Sequence, residues 1–158
     1  WVGVNTVRTN HIVAEALKNG DIDEFQKFDS IKQEVKTSLG HRLDLRLVAG
    51  SNEIYIEIKN CSLVEDGCAR FPDAVTSRGT KHLQELIRLV GLGHTGVIFF
   101  LVQRLDADRF EPARAIDPVY SQTLSEAHQR GVRILVYQAA VTPQSIEVIR
   151  PLPYSLPD

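Results

Sequence analysis

The residues of this chain whose types and spacing could do chemistry are two acids and a lysine on neighbouring predicted strands. Residues 53–60, EIYIEIKN, alternate isoleucine with other side chains, which puts Glu57 and Lys59 on one face of a strand. Residues 41–50, HRLDLRLVAG, alternate in the same way and carry Asp44. Two carboxylates supply the hard oxygen ligands that Mg²⁺ or Mn²⁺ prefers, and a lysine beside them can contact a group bound to the ion.

The turn between these strands decides whether the two acids meet. Glycine as the first of two loop residues is typical of a type II′ hairpin turn, so a Gly50–Ser51 loop is favoured, and it places Asp44 opposite Glu57. Directly opposed residues have Cβ atoms about 5 Å apart, and two carboxylates there repel each other unless a cation lies between them. A Ser51–Asn52 loop would instead pair Asp44 with Lys59 and form ordinary salt bridges. Both registers keep the apolar face, so alternation alone leaves the second one open.

Basic residues open a predicted helix, residues 76–93, and offer a second kind of contact. Arg78, Lys81 and His82 lie in or near its first turn, where side chains and free backbone N–H groups suit phosphate oxygens. The alternative is the charged face of an amphipathic helix. Phe71 precedes this helix in a predicted loop, where its ring either stacks on a nucleobase or packs onto the core.

Composition indicates one globular domain without a global basic field. The chain has 158 residues, 43% of them apolar and 24% charged, and a formal net charge of −2, so binding to a polyanion has to be local. The longest apolar run, residues 96–102, is too short to span a membrane, and we predict no membrane association. Cys61 and Cys68 are expected to be reduced thiols, which fits a cytoplasmic protein.

The predicted elements follow the order helix, three-strand meander, helix, strand, helix, strand. This order predicts the α/β class, with a mixed β-sheet flanked by helices. No strand is predicted in the polar stretch 61–75. The predicted ranges are helix 9–20 with a further helical turn at 22–28, strands 31–37, 41–50 and 53–60, helix 76–93, strand 96–104, helix 117–131, strand 132–141 and a short edge strand 145–150.

Longer segments resemble the sugar fermentation stimulation protein A family: WVGVNT, YIEIKN, LVEDGCARFPDAVTSRGTKHLQEL and RPLP. The resemblance covers essentially all 158 residues. In addition, Asp44 followed by Glu57 and Lys59 resembles the Asp…Glu-x-Lys motif of restriction-endonuclease-like phosphodiesterases. The resemblance implies a nuclease-like, restriction-endonuclease-like domain over residues 1–158, a DNA-binding function, and a small OB-like domain ahead of WVGVNT that is missing from this chain.

The same resemblance implies roles for individual residues. Asp44, Glu57 and the Ile58 carbonyl would bind Mg²⁺ or Mn²⁺, and Glu15 on the first helix would complete the metal shell or be an ordinary surface charge. Lys59 would position or deprotonate the attacking water, or stabilise negative charge. The chain departs from the usual pattern in two places, since Leu43 rather than proline precedes Asp44, and Thr80 stands where relatives have an amide side chain.

Three functions are therefore compared. The first is a Mg²⁺- or Mn²⁺-dependent phosphodiesterase acting on DNA, single- or double-stranded, with a homodimer as a candidate assembly. The alternative is a non-catalytic DNA-binding or transcription-regulatory module of the same fold. A glycoside hydrolase or sugar-binding protein that uses Glu65 and Asp66, or the Asp44–Glu57 pair, is disfavoured because only 7% of residues are aromatic and the single tryptophan lies at the terminus.

Overall fold

The computed structural model describes residues 6–157 and contains three helices and nine strands within that range. All but the last residue of the WVGVNT segment lie outside it. The helices are α1 (Thr6–Lys18), α2 (Ser77–Gly91) and α3 (Pro118–Gln129), and the strands are β1 (Ser30–Lys36), β2 (Arg42–Ala49), β3 (Asn52–Cys61), β4 (Leu63–Glu65), β5 (Cys68–Phe71), β6 (Thr95–Val102), β7 (Arg109–Pro112), β8 (Arg133–Val141) and β9 (Ile146–Pro151).

Six strands form one mixed sheet in the order β1-β2-β3-β6-β8-β9. The β1-β2-β3 meander is antiparallel, β6 and β8 run parallel to β3, and β9 closes the other edge antiparallel to β8. Parallel neighbours need long crossover connections, and α2 and α3 lie within the two that this sheet uses. The predicted class, an α/β domain with a mixed sheet flanked by helices, is confirmed.

The sheet separates two hydrophobic cores. Ile54 and Ile56 on one face of β3 pack in the core that contains Val13 and Leu17 of α1. Tyr55 on the other face belongs to the core of α2 and α3. Helices thus cover both faces, which explains why β6 is apolar along nearly its whole length. No helix within residues 6–157 is both long and apolar enough to cross a membrane.

A second, three-stranded sheet, β4-β5-β7, was not predicted. Its strands have only three or four residues, too few to show a clear period of two. The turn between β4 and β5 uses Asp66 and Gly67 at positive φ, 51° and 78°. Glu65 and Asp66, the acids considered for sugar chemistry, therefore lie at the end of a hairpin, and neither lines the cleft described below.

Two local expectations near the N-terminus are wrong. Residues 22–28 contain a turn but no helix. Helix α1 begins at Thr6 rather than at residue 9. Thr9 is 2% exposed inside the helix, and its hydroxyl accepts a hydrogen bond at 3.4 Å from Gln103, which directly follows β6.

Candidate metal centre and nucleic-acid cleft

The β2–β3 hairpin has the register predicted from the Gly50–Ser51 loop. Leu45 pairs with Ile56 and Leu47 with Ile54, and Gly50 has a φ of +63°. A residue without a side chain is favoured at that positive φ, so the position of this glycine fixes the register locally. The alternative pairing of Asp44 with Lys59 is excluded.

The paired part of the hairpin stops one residue before Asp44. The last β2–β3 pair is Leu45–Ile56. Beyond it the Asp44 side chain replaces the backbone as the hydrogen-bond acceptor, and its Oδ2 accepts from the backbone N–H of Ile58 at 2.8 Å. Its Oδ1 accepts a hydrogen bond from the Asn10 side chain at 2.8 Å. Each carboxylate oxygen of Asp44 has one donor, so the orientation of the group is fixed from two sides.

Glu57 is a buried carboxylate with two unlike oxygens. Its residue exposure is 2%. Its Oε2 accepts a hydrogen bond from Lys59 Nζ at 3.0 Å and also contacts Nδ1 of His82. Its Oε1 is buried and receives no hydrogen bond from a donor in the described part of the chain. A buried carboxylate oxygen without a donor costs free energy, so Oε1 needs a partner, which is either a proton carried by the neighbouring Asp44 or a cation.

The two acids have opposite pKa shifts. Burial and then the negative charge of Glu57 raise the pKa of Asp44 to about 7. Burial alone would raise the pKa of Glu57, but hydrogen bonds with His82 and Asp44 and the nearby charges of Lys59 and His82 lower this pKa to about 2. Without a cation, Glu57 is therefore ionised near neutral pH while Asp44 retains a proton for much of the time, which relieves the repulsion between them.

These shifts predict the pH dependence of stability without metal. The pKa of Asp44 lies above its ordinary value near 4, so between about pH 4 and pH 7 the folded protein binds more protons than the unfolded chain. The free energy of unfolding in a chelator should then fall as the pH rises from about 5 to 7. The lowered pKa of Glu57 contributes stability that is lost only as the pH falls from about 4 toward 2, outside that window.

Urea unfolding in EDTA at pH 5, 6 and 7 measures this dependence, with Asp44→Asn as the matched variant. The variant has no proton to release at position 44, so its free energy of unfolding should decline less over this range. Equal declines in both proteins would mean that Asp44 titrates normally.

A cleft of about 600 Å³ lies over this pair, beside the carboxyl end of β3, a strand that runs parallel to β6. The carboxyl ends of parallel strands are the usual place for binding sites in α/β proteins. Neutral polar side chains form one part of its lining, and Arg78 contributes a positive charge. The residues that line it are Thr9, Asn10, Asp44, Glu57, Ile58, Lys59, Asn60, Ser62, Phe71, Asp73, Arg78 and His82.

The structure does not bring Glu15 to this cleft. Glu15 is exposed and lines a separate depression with Arg8 and Ser145. Glu15 lies five positions after Asn10, and at 100° per residue the two side chains project about 140° apart around α1. Asn10 is the residue that this helix directs at Asp44, so α1 supplies an amide donor instead of a third acid.

The four predicted DNA contacts fall into three groups. Arg78 is exposed and lines the cleft, whereas Lys81 is exposed on the same helix but does not line it. His82 also lines the cleft, but it is only 6% exposed and contacts Glu57 and Lys59, so it lies within the acid cluster and its contact with DNA stays a prediction. Phe71 is partly buried against Phe100 and Tyr120, with ring centroids 5.5 and 5.2 Å away, and still lines the cleft.

Sequence reasoning missed a polar network beside the acids. Gln103, directly after β6, is 1% exposed and donates through Nε2 to Asn60 Oδ1. Asn10 and Asn60 place neutral amides along the cleft, and Gln103 holds Asn60 from behind. Nothing in the local sequence shows that Asn10 or Asn60 faces the cleft, because the three residues come from separate elements.

The described residues contain no cluster of three or more His, Cys, Asp or Glu side chains arranged for a metal ion. Asp44 and Glu57 are thus two candidate acidic ligands, and no third acid is grouped with them in this part of the chain. That set suits Mg²⁺, which commonly uses one or two carboxylates and takes its other ligands from water and phosphate.

Comparisons with known proteins show what this chain is similar to. Residues 7–145 match the family model described as SfsA, sugar fermentation stimulation protein RE domain. The chain is 54% identical over 149 residues to the sugar fermentation stimulation protein homolog of Desulfotalea psychrophila, covering 94% of this chain and 63% of the relative. The homolog of Citrifermentans bemidjiense is 47% identical over 156 residues, covering 99% and 68%.

Among solved structures, the chain is similar to Pyrococcus furiosus SfsA in complex with Ca²⁺. The TM-score is 0.90 at 25% sequence identity, and the match covers 97% of this chain and 66% of that chain. The chain thus spans about two thirds of the length of the relatives that it matches.

Proposed function

The chain belongs to the sugar fermentation stimulation protein family, and from the site described above we propose that it is a divalent-cation-dependent phosphodiesterase acting on DNA. The observation that carries the proposal is the state of Glu57. One of its oxygens is buried without a donor from the described residues, beside a second acid whose pKa is raised to about 7. A divalent cation would satisfy that oxygen and replace the proton on Asp44.

The donor set fits such a cation. Asp44 and Glu57 offer hard oxygen atoms, and the Ile58 carbonyl remains a candidate third ligand. The Pyrococcus furiosus relative was solved with Ca²⁺, an ion that prefers the same class of ligand. We propose Mg²⁺ or Mn²⁺ as the ion of catalysis. When bound, it would lower the pKa of a water ligand and neutralise charge on the phosphate.

The protein side chains have separate tasks in this proposal. Asn10 and the backbone of Ile58 hold Asp44 in one orientation. Lys59 is 15% exposed in its side chain and lies at the cleft, so a small rotation would bring its amine to a phosphate oxygen. There it would stabilise the negative charge of the transition state or orient the attacking water.

DNA is the proposed substrate because the cleft combines a phosphate contact with space for a strand. Arg78 lies in the first turn of α2, whose cap is Thr76, so a positive side chain and a helix N-terminus lie close together. Phe71 at the rim offers a ring face to a base. The domain has a net charge of −2, so these local contacts would carry the affinity.

The salt dependence of DNA binding tests this assignment. Each phosphate contact contributes about 0.7 to 0.9 to the slope of log K against log salt concentration. Arg78→Ala should therefore weaken binding and reduce the slope by about one unit. Arg130→Ala is the matched control. Arg130 caps the C-terminal end of α3, away from the cleft, and its replacement should leave the slope unchanged. Fluorescence anisotropy in Ca²⁺ at several salt concentrations gives the slopes for both variants and the wild type. An unchanged slope for Arg78→Ala would mean that the DNA phosphates bind at other residues.

The relatives are about half as long again as this chain, and we propose that the remainder includes the OB-like domain expected ahead of WVGVNT. OB-folds commonly bind nucleic acids, so that domain would add affinity and leave the chemistry to this one. DNA binding by this chain alone should accordingly be weak.

A non-catalytic DNA-binding module is the second candidate. It would keep the cleft and Arg78, but it would gain nothing from a buried carboxylate with an unsatisfied oxygen beside a second acid. Retention of Asp44, Glu57 and Lys59 in one cluster favours the enzyme, and cleavage measurements distinguish the two.

A further inference from the structure

His82 is a buried polar residue of α2, and Glu85 is the other buried polar residue of this helix. The exposure of His82 is 6%, and its buried neighbours on the helix include Leu83 and Leu86. An imidazole in such a place is costly unless its nitrogen has a partner. Its Nδ1 contacts Glu57 Oε2 and lies 3.1 Å from Lys59 Nζ, so His82 lies beside both functional side chains of β3. The approach to Lys59 is a hydrogen bond only in the tautomer whose Nδ1 carries no hydrogen.

The chemistry of these contacts assigns the hydrogen. A ring nitrogen beside a carboxylate oxygen is attracted only if it carries a hydrogen, because two lone pairs repel each other. Nδ1–H therefore donates to Glu57 Oε2, and Lys59 donates to the same oxygen at 3.0 Å. Oε2 has two donors and Oε1 has none among the described residues, so the carboxylate is held in one orientation.

We propose that His82 is a positioning residue for a cation ligand: it holds Oε2 of Glu57 and thereby presents Oε1 to the divalent cation. Its second effect concerns Lys59. When the Lys59 amine turns to a phosphate, Nδ1–H of His82 still donates to Oε2. The movement of Lys59 therefore does not leave this buried oxygen without a donor. This inference rests on the proposed function in that it takes Glu57 as a cation ligand.

The cap and the close packing of the first turn of α2 set the position of His82. Thr76 caps the helix by accepting from Gly79 N–H at 3.0 Å, and its own N–H donates to Asp117 Oδ2 at 2.9 Å. A Cβ at Gly79 would lie 2.8 Å from Thr76 Cγ2 and 3.1 Å from the Tyr120 ring, so this turn packs closely against its own cap and α3. His82 follows three residues later, within one helical turn, and its direction is set by that packing.

Calorimetric titration of the metal-free protein with Ca²⁺ tests the proposal without any turnover. Three variants are compared at position 82. Leucine keeps an apolar volume and removes the donor, asparagine places an amide nitrogen as many bonds from the backbone as Nδ1, and glutamine places it one bond further out. Partners that orient metal ligands typically contribute 10- to 100-fold in affinity. We expect His82→Leu and His82→Gln to weaken Ca²⁺ binding by that factor and His82→Asn to stay within a few-fold of wild type.

Urea unfolding of each variant identifies those that fold. If the leucine variant does not fold, the comparison of the asparagine and glutamine variants tests the positioning role. Equal Ca²⁺ affinity for all folded variants would overturn the positioning role while leaving the proposed function intact. Equal loss in the asparagine and glutamine variants would also overturn it. A wild type that binds no Ca²⁺ would remove the cation ligand and the inference with it, whereas Ca²⁺ binding without any DNA cleavage in Mg²⁺ or Mn²⁺ would contradict only the enzymatic function.

Discussion

Lys59→Met should reduce Mg²⁺-dependent DNA cleavage by a factor on the order of 10² or more and leave cation binding intact. Methionine keeps the aliphatic stem in a side chain that is only 15% exposed, so packing changes little. Asp44 and Glu57 still supply their oxygens, and removal of the positive charge 3.0 Å from Glu57 would strengthen cation binding if it changes it at all. If Lys59 served only as a local charge pair with Glu57, its loss would not affect cleavage.

The measurement is single-turnover cleavage of labelled DNA together with calorimetric Mn²⁺ titration. Lys32→Met, an exposed lysine on β1, is the matched control and should cleave at the wild-type rate. Cleavage unaffected by Lys59→Met would show that this lysine is not part of the chemistry. Loss of both cleavage and Mn²⁺ binding would instead point to a damaged site.

Glu57→Gln should reduce both cation affinity and cleavage. Glutamine has nearly the same shape but no charge, and Lys59 and His82 then donate to a neutral amide oxygen. A unit charge at about 4 Å contributes roughly 4 kcal/mol at an effective dielectric constant of about 20, so a loss of cation affinity on the order of 10² or more is expected. The pKa of Asp44 should also fall, because the charge of Glu57 is one of the causes that raise it.

Calorimetric titration with Mn²⁺ measures the affinity, and Glu53→Gln is the matched control. Glu53 lies on the same strand and contacts Arg46 and His94 instead of the acid pair, so its change should leave Mn²⁺ affinity unaltered. Wild-type affinity in Glu57→Gln would mean that the cation binds elsewhere.

The parts of the site that sequence predicts are those set by local geometry. The two-residue loop at Gly50 determines the register of β2 and β3, and alternation then places Glu57 and Lys59 on one face. Both are consequences of neighbouring residues, and both are confirmed. The α/β class follows in the same way from the order of the elements.

What sequence did not predict depends on packing between distant elements. In the sequence, His82 stands among the basic residues that open a helix and is expected on its charged surface. Only the packing of α2 on the sheet brings it to Glu57, 25 positions earlier. Asn10 and Glu15 are both polar residues on α1, and only the rotation of that helix selects the amide over the acid. The end of the β2–β3 pairing at Leu45, which lets Asp44 bind the backbone of Ile58, also has no local signal.

The most direct test of a cation-dependent phosphodiesterase is a time course of supercoiled plasmid nicking at low salt in Mn²⁺, in Mg²⁺ and in EDTA. Glu57→Gln, purified in the same way, serves as the reference for contaminating nucleases. We expect nicking by the wild type in Mn²⁺ or Mg²⁺, none in EDTA, and at least 10²-fold slower nicking by the variant. A wild type that binds Mn²⁺ and DNA but nicks no faster than Glu57→Gln would contradict the enzyme and leave the DNA-binding module.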